Sequence, residues 1–237
     1  MTQEDKGNGE FDRVLVACPT YRGKAYALEA FVNAYNNFTF PHRGLYMVDN
    51  TGDSWEYFEH LKRLGVPCDY EPPERDWQKT FARCWKRIWM RARNLGYQWV
   101  ASIEQDVIAP PLTLDILLNV AGYTKAMHVA HSYPWHKHQS EHGVLIGLGC
   151  NLIHVELLTA IFEQEKWLTD AFESETYAYP QFKGITMLEI HHLIDLKHLD
   201  GTESEFYQFD REQAPELTPG HTVERRPGEF KGGKLVA

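Results

Sequence analysis

The chain has 237 residues, 43% of them hydrophobic, which is enough to build one large core without disulfide or metal staples. Its 24 Lys and Arg stand against 33 Asp and Glu, a net charge of −9. That balance excludes a general polyanion coat, whose affinity comes from neutralising phosphates, and the Gly and Pro counts of 17 and 12 exclude fibrous and low-complexity classes.

Residues 1–12 are polar and acidic, with no apolar stretch that could serve as a signal sequence. Residues 14–18 form a β-branched apolar run without alternation, which predicts a strand buried on both faces. The polar turn 19–23 follows, then a helical stripe of Ala27, Leu28, Phe31, Val32 and Tyr35. A second strand, 44–48, runs into the polar turn 49–53, and Trp55, Phe58, Leu61 and Leu64 mark the next helix. Residues 66–70 predict a third strand. A long amphipathic helix then carries Trp77, Phe81, Cys84, Trp85, Ile88 and Ala92 at helical spacing, stopping at Asn94-Leu95-Gly96. The fourth strand, 98–103, leads to Glu104-Gln105-Asp106.

Beyond Pro110-Pro111 the pattern predicts a helix over 113–122 and a strand over 126–132. A polar, histidine-bearing loop, a strand over 143–153 and a helix over 154–166 come next. Residues 167–184 read as an acidic, aromatic surface loop and 185–199 as apolar and His-rich. From 201 the chain is a polar extension with a basic end.

Strands alternating with helices predict an α/β fold, a mostly parallel sheet with helices on both faces. Ligands of such sheets bind at the carboxyl ends of the strands. The three polar turns 19–23, 49–53 and 104–106 are therefore expected to converge on one cleft. No two of Cys18, Cys68, Cys84 and Cys150 form a C-x-x-C pair, so free thiols are expected rather than a zinc ribbon or redox motif. The longest nearly apolar run, 143–153, falls short of the ~18 residues of a membrane helix. The reading is a cytoplasmic protein with no membrane segment; nothing in the pattern indicates an oligomeric state.

Glu104 and Asp106 stand two residues apart after a buried strand, which points both carboxylates to one side. Such a pair can share one hard cation, Mg²⁺ or Mn²⁺, with a substrate's phosphate oxygens. A solvated acidic turn is the alternative.

Three segments together resemble the GT-A glycosyltransferases: Val14-Leu-Val-Ala-Cys-Pro-Thr-Tyr-Arg, Tyr46-Met-Val-Asp-Asn and Trp99-Val-Ala-Ser-Ile-Glu-Gln-Asp. The likeness, to the family with a P-T-Y strand end and a D-x-D metal motif, covers roughly residues 13–160. Glu104 stands where that motif more often has Asp. The resemblance implies a GT-A, Rossmann-like domain over 13–200, with a nucleotide-sugar half (13–110) and an acceptor half (111–200) between the polar ends 1–12 and 201–237. It implies that Pro19, Thr20 and Tyr21 line the nucleotide pocket, with Tyr21 or Arg22 near base or phosphate. Asp49 would accept a hydrogen bond from a uracil base. Arg83, in an A-R-C version of the family's A-R-N element, would reach ribose or pyrophosphate. Asp106 and Glu104 would hold Mn²⁺ or Mg²⁺, and a late histidine, by position His198 with His192 second, would complete the site. For an inverting enzyme the acceptor's proton needs a carboxylate, and Asp170, then Glu173 or Glu175, lie where related enzymes keep it.

Read from spacing alone, His191, Asp195 and His198 share one face if their segment is a helix, whereas in a strand His198 shares a face with Ile194 and Leu196. Ordinary half-buried histidines are the plainer reading.

One helix departs from the acidic balance: Arg75, Lys79, Arg83, Lys86, Arg87, Arg91 and Arg93 face a single acid, Asp76, with Trp77, Phe81, Trp85 and Trp89 interleaved. Such a pattern can follow a phosphate backbone and stack on bases, although aromatics in the core and charges in solvent is the stronger reading. The patch admits modified DNA as a partner, and small phage enzymes that glycosylate hydroxymethylated pyrimidines in DNA are similar in outline. The expected function is a metal-dependent transferase moving a sugar from a UDP-sugar to a hydroxyl, with a 5-hydroxymethylpyrimidine in DNA, a glycan or a small molecule as acceptor. A nucleotidyltransferase and a non-catalytic nucleotide or nucleic-acid binding module are the alternatives.

Overall fold

A computed structural model describes residues 12–52, 55–75, 77–131, 139–140, 143–144, 149–163, 187–190 and 193–199, with short strands within 206–235. The first strand, β1 (Val14–Thr20), has almost no polar side chain to offer water, and all of its residues but Pro19 are buried. A 3-10 turn (Arg22–Ala27) and α1 (Leu28–Asn36) follow, then β2 (Arg43–Asp49), α2 (Glu56–Arg63), β3 (Cys68–Tyr70) and α3 (Trp77–Asn94). Next come β4 (Trp99–Ile103), β5 (Val107–Ile108), α4 (Thr113–Thr124), β6 (His128–His131), β7 (Gln139–Ser140), β8 (Gly143–Val144), β9 (Cys150–His154) and α5 (Val155–Phe162). The later strands are β10 (Met187–Ile190), β11 (Lys197–Leu199), β12 (Phe206–Gln208), β13 (Glu224–Arg226) and a β14–β15 hairpin (Phe230–Lys231, Lys234–Leu235).

Among the described residues, eight strands form one sheet in the order β13-β10-β6-β9-β4-β1-β2-β3. β1 pairs in parallel with both β2 and β4, β2 with β3, and β6 with β10. β9 runs against its neighbours β4 and β6, and the edge strand β13 runs against β10. The expected α/β architecture is thus present. The inversion at β9 and the strand contributed by the C-terminal segment were not foreseen.

Side chains alternate strictly across the sheet. Val14, Val16 and Cys18 pack on one face with Leu28 and Phe31 of α1, Tyr57 and Leu61 of α2, and Leu114 and Leu117 of α4. Leu15 and Ala17 pack on the other with Cys84, Trp85, Ile88 and Ala92 of α3 and Leu157 and Leu158 of α5. A strand covered on both faces has no reason to alternate in sequence, which is why β1 reads as continuously apolar. α3 ends as its sequence predicts. The N–H of Gly96, at φ +68°, bonds to the Arg93 carbonyl and that of Tyr97 to Ala92, closing the last turn on a residue that tolerates a left-handed backbone.

Two expectations need correction, and two alternatives left open are decided against. On α2 the buried residues are Tyr57 and Leu61, whereas Trp55 and Leu64 are exposed. The stripe is set by where the helix begins, one residue after Trp55. Residues 143–153 are two strands rather than one, because Gly143–Val144 pairs in a hairpin with Gln139–Ser140 while Cys150–His154 joins the main sheet. No helix spans 193–199, where bends lead into β11, so the one-face reading of His191, Asp195 and His198 fails. Trp85 and Trp89 are buried, 0% and 7% exposed, and cannot stack on a partner's bases.

All four cysteines are free thiols, with only Cys68 partly exposed. No described helix is long and apolar enough to cross a membrane.

Candidate functional site

The chain leaves β1 outward to β2 and β3, then returns to the other side of β1 as β4. Connections therefore diverge between β1 and β4, and a crevice opens at the carboxyl ends of these two strands. The three polar turns do meet there. The Asn50 N–H bonds to the Thr20 carbonyl at 2.9 Å, the Arg22 N–H to Thr51 Oγ1 at 2.9 Å, and the Thr20 hydroxyl to Gln105 Oε1. A cavity of about 200 Å³ is lined by Pro19, Thr20, Tyr21 and Lys24 from the first turn, Asn50 from the second and Glu104 from the third, with Phe81 and Trp85 of α3 behind. A second hollow of about 370 Å³ adjoins it through Tyr21 and Asn50, bounded by Arg22, Gly23, Thr51 and Gly52.

Gln105, which the sequence reading passed over, organises this junction. Its side chain is fully buried; Oε1 accepts from Tyr57 at 2.9 Å and from Thr20, and its amide donates to the Lys24 carbonyl at 2.5 Å. Turning Gln105 inward is what leaves its neighbours, Glu104 and Asp106, facing the crevice together.

Those two carboxylates converge on one point. Glu104 Oε2 lies 2.9 Å and Asp106 Oδ1 2.8 Å from Lys24 Nζ. Burial alone would depress the Lys24 pKa, but the two carboxylates outweigh it and hold the ammonium charged well above its ordinary range. Lys24 was also missed. Its only signal was a basic residue in the turn after β1, within a side chain's reach of the third turn.

His198 arrives by a route the sequence did not show. β11 pairs antiparallel with β5, setting His198 opposite Val107, and the Leu199 N–H bonds to the Asp106 carbonyl at 2.7 Å. The imidazole Nε2 then stands 3.5 Å from Asp106 Oδ2. The structure thus brings Glu104 beside Asp106 and His198 to the other oxygen of Asp106. The carboxylate pair is chemically suited to a hard divalent cation shared with phosphate oxygens, although among the described residues no three His, Cys, Asp or Glu side chains close on one point.

Asp49 is fully buried at the end of β2. Its Oδ1 accepts from the Thr51 N–H at 3.0 Å and hydroxyl at 2.7 Å, while Oδ2 is buried with no hydrogen-bond partner among the described residues. Burial raises its pKa, the Thr51 bonds opposing it. Tyr21 is half exposed at the mouth, and Arg22 is exposed beside it. Arg83 turns to the loop after β3, where its Nε lies 2.7 Å from Glu71 Oε1, one terminal nitrogen meets Glu74 and the other donates to the Pro72 carbonyl at 2.8 Å. Arg87 pairs with the same Glu71, and Arg93 with Glu163 at 2.8 Å. Much of the basic helix is therefore spent on its own protein's acids. Asp170, Glu173, Glu175 and His192 lie outside the described residues.

No protein-family profile matches the sequence, and no curated protein matches it. Among solved structures the chain is similar to S. aureus TarS 1–349 in complex with UDP, at 12% identity and a TM-score of 0.42, over 63% of this chain and 48% of that one. It is similar to the mannosyltransferase PcManGT from Pyrobaculum calidifontis in complex with GDP-Man and Mn²⁺, at 18% and 0.42, over 53% and 37%. A cytidylyltransferase from Leptospira borgpetersenii matches at 10% and 0.47, over 65% of each chain. The chain spans about half the length of the TarS structures it matches. At these identities and TM-scores the likeness carries neither substrate nor residue role to this chain. Fold and site on their own define an α/β protein with an acidic, lysine-bridged crevice at the carboxyl ends of a mostly parallel sheet.

Proposed function

We propose that the chain is a GT-A-type glycosyltransferase that moves a sugar from a UDP-sugar to a hydroxyl acceptor with the help of Mn²⁺ or Mg²⁺. The observation that carries this reading is the Glu104–Asp106 pair, converging on one point beside a cavity at the strand ends where the connections diverge. Glu104 and Asp106 would hold the cation, with His198 beside Asp106; the cation supplies positive charge against the negative charge that builds on the departing diphosphate. Thr20, Tyr21 and Asn50 line the donor's berth, and the buried Asp49 shapes the adjoining hollow through its bonds to Thr51. Asp170, with Glu173 second, is proposed as the base that takes the acceptor's proton in an inverting reaction.

Titration calorimetry of UDP with and without Mn²⁺ tests the reading, together with UDP-sugar hydrolysis. Metal-dependent UDP binding and a loss of at least about 100-fold in turnover for Asp106→Ala are expected. Full activity in that variant would sink it. Consumption of a nucleoside triphosphate with pyrophosphate release would favour the nucleotidyltransferase instead, and UDP binding without any hydrolysis the binding module. Hydroxymethylated DNA belongs in the acceptor screen beside glycans and small alcohols. Lys86→Glu, which spares the Arg87–Glu71 pair, is the variant that should weaken turnover of DNA alone.

A further inference from the structure

We infer that Lys24 is an internal competitor for the divalent cation, released to the donor's diphosphate when the cation binds. The inference rests on the metal-dependent reading above and deepens it. The Lys24 ammonium sits 2.9 Å from Glu104 Oε2 and 2.8 Å from Asp106 Oδ1, at the one point both carboxylates reach. A dication at that point and an ammonium beside it would repel at contact distance, so the pair of acids holds one or the other. Among the described residues the carboxylates are not otherwise committed to side chains, except for the looser approach of His198 to Asp106 at 3.5 Å.

The lysine has somewhere to go. Its turn is anchored at the backbone, by the Lys24 N–H to the Tyr21 carbonyl at 2.9 Å and by the Lys24 carbonyl to Gln105, so only the flexible side chain has to move. It lines the same cavity as Pro19, Thr20 and Tyr21, so an ammonium turned away from the acids remains in the space where a diphosphate would lie. A diphosphate attracts both the free ammonium and the cation. Nucleotide and cation should therefore strengthen each other's binding, and by linkage the factor is the same in both directions.

The test is Mn²⁺ affinity, read as free Mn²⁺ by electron paramagnetic resonance, in wild type, Lys24→Met and Lys24→Arg, each with and without saturating UDP. Circular dichroism checks that each variant is folded. Lys24→Met should bind Mn²⁺ at least tenfold more tightly than wild type without nucleotide, and UDP should add less to it than to wild type. Lys24→Arg, which keeps the positive charge, should stay as weak as wild type. Equal or weaker Mn²⁺ binding by Lys24→Met overturns the competition while leaving the metal-dependent reading intact. Failure of every form to bind Mn²⁺ even with UDP overturns both.

Discussion

Gln105 sits between two acids that face the crevice, yet it points the other way and holds Thr20, Tyr57 and the Lys24 carbonyl. Replacing it with Leu strips three partners at once in a fully buried place, at a cost of about 1–3 kcal/mol for each buried polar group left unpaired. Gln105→Leu should therefore lower the unfolding midpoint and raise the KM for the donor, since the first and third turns lose their tie. An unchanged midpoint in thermal unfolding would contradict that role. Asp49 offers a contrasting case. Its raised pKa means that the folded state holds its proton more tightly than the unfolded chain, so stability falls as pH rises from the ordinary carboxylate range through the raised value. Asp49→Asn should remove that loss, be neutral to stabilising at pH 7, and weaken UDP binding. His128 behaves in the opposite sense. Burial between β6 and β9 lowers its pKa to about 4, against a bond to Asn151 at 3.1 Å. The unfolded chain binds the proton first, so stability present above about pH 6.5 is lost as pH falls toward 4, by about 3 kcal/mol at most. A His128→Gln protein should show a flatter acid limb in unfolding midpoints measured from pH 7 to 4.

At the scale of elements, α3 shows why a charge count misleads. Trp85 and Trp89 are buried, and Arg83 and Arg87 both serve the buried Glu71. Removing both arginines leaves a buried carboxylate without compensation and should cost about 2–3 kcal/mol. Adding Glu71→Gln to Arg83→Ala/Arg87→Ala should restore most of it, as denaturant midpoints would show. The helix itself was legible, because a 3.6-residue stripe of Cys84, Trp85, Ile88 and Ala92 over 18 residues has no competing explanation. So were β1, β2 and β4, whose sides are both covered. The pairing of α3's charges was not legible, since Glu71 reaches them through the fold of a loop rather than at a fixed helical spacing. Lys24 and Gln105 were missed for the same reason. Their importance comes from the distance between two strand ends, which a sequence does not state. The shared side of Glu104 and Asp106 was legible because a two-residue spacing after a strand already carries geometry.

For the molecule as a whole, the site joins segments from opposite ends of the chain, from Thr20 through Asp106 to His198. A ligand that bridges them stabilises every state in which the sheet is intact and none in which it is open. UDP with Mn²⁺ at 100 times its dissociation constant should add about 2.7 kcal/mol to unfolding. The gain should vanish in Asp106→Ala, where differential scanning calorimetry would find equal midpoints with and without ligand.

The reversed strand β9 has a bearing on how such a molecule could diversify. A parallel neighbour must be reached by a crossover that carries the chain back along the sheet to the far end. β6 and β9 are antiparallel, so the chain departs at His131 and re-enters at Cys150 on one rim, the rim where the Gly149 carbonyl receives the Glu104 N–H at 3.0 Å. Sequence inserted or exchanged between those two points begins and ends beside the crevice and asks nothing of the strand register. A change there alters one rim of the crevice and leaves the pairing of the strands on either side intact.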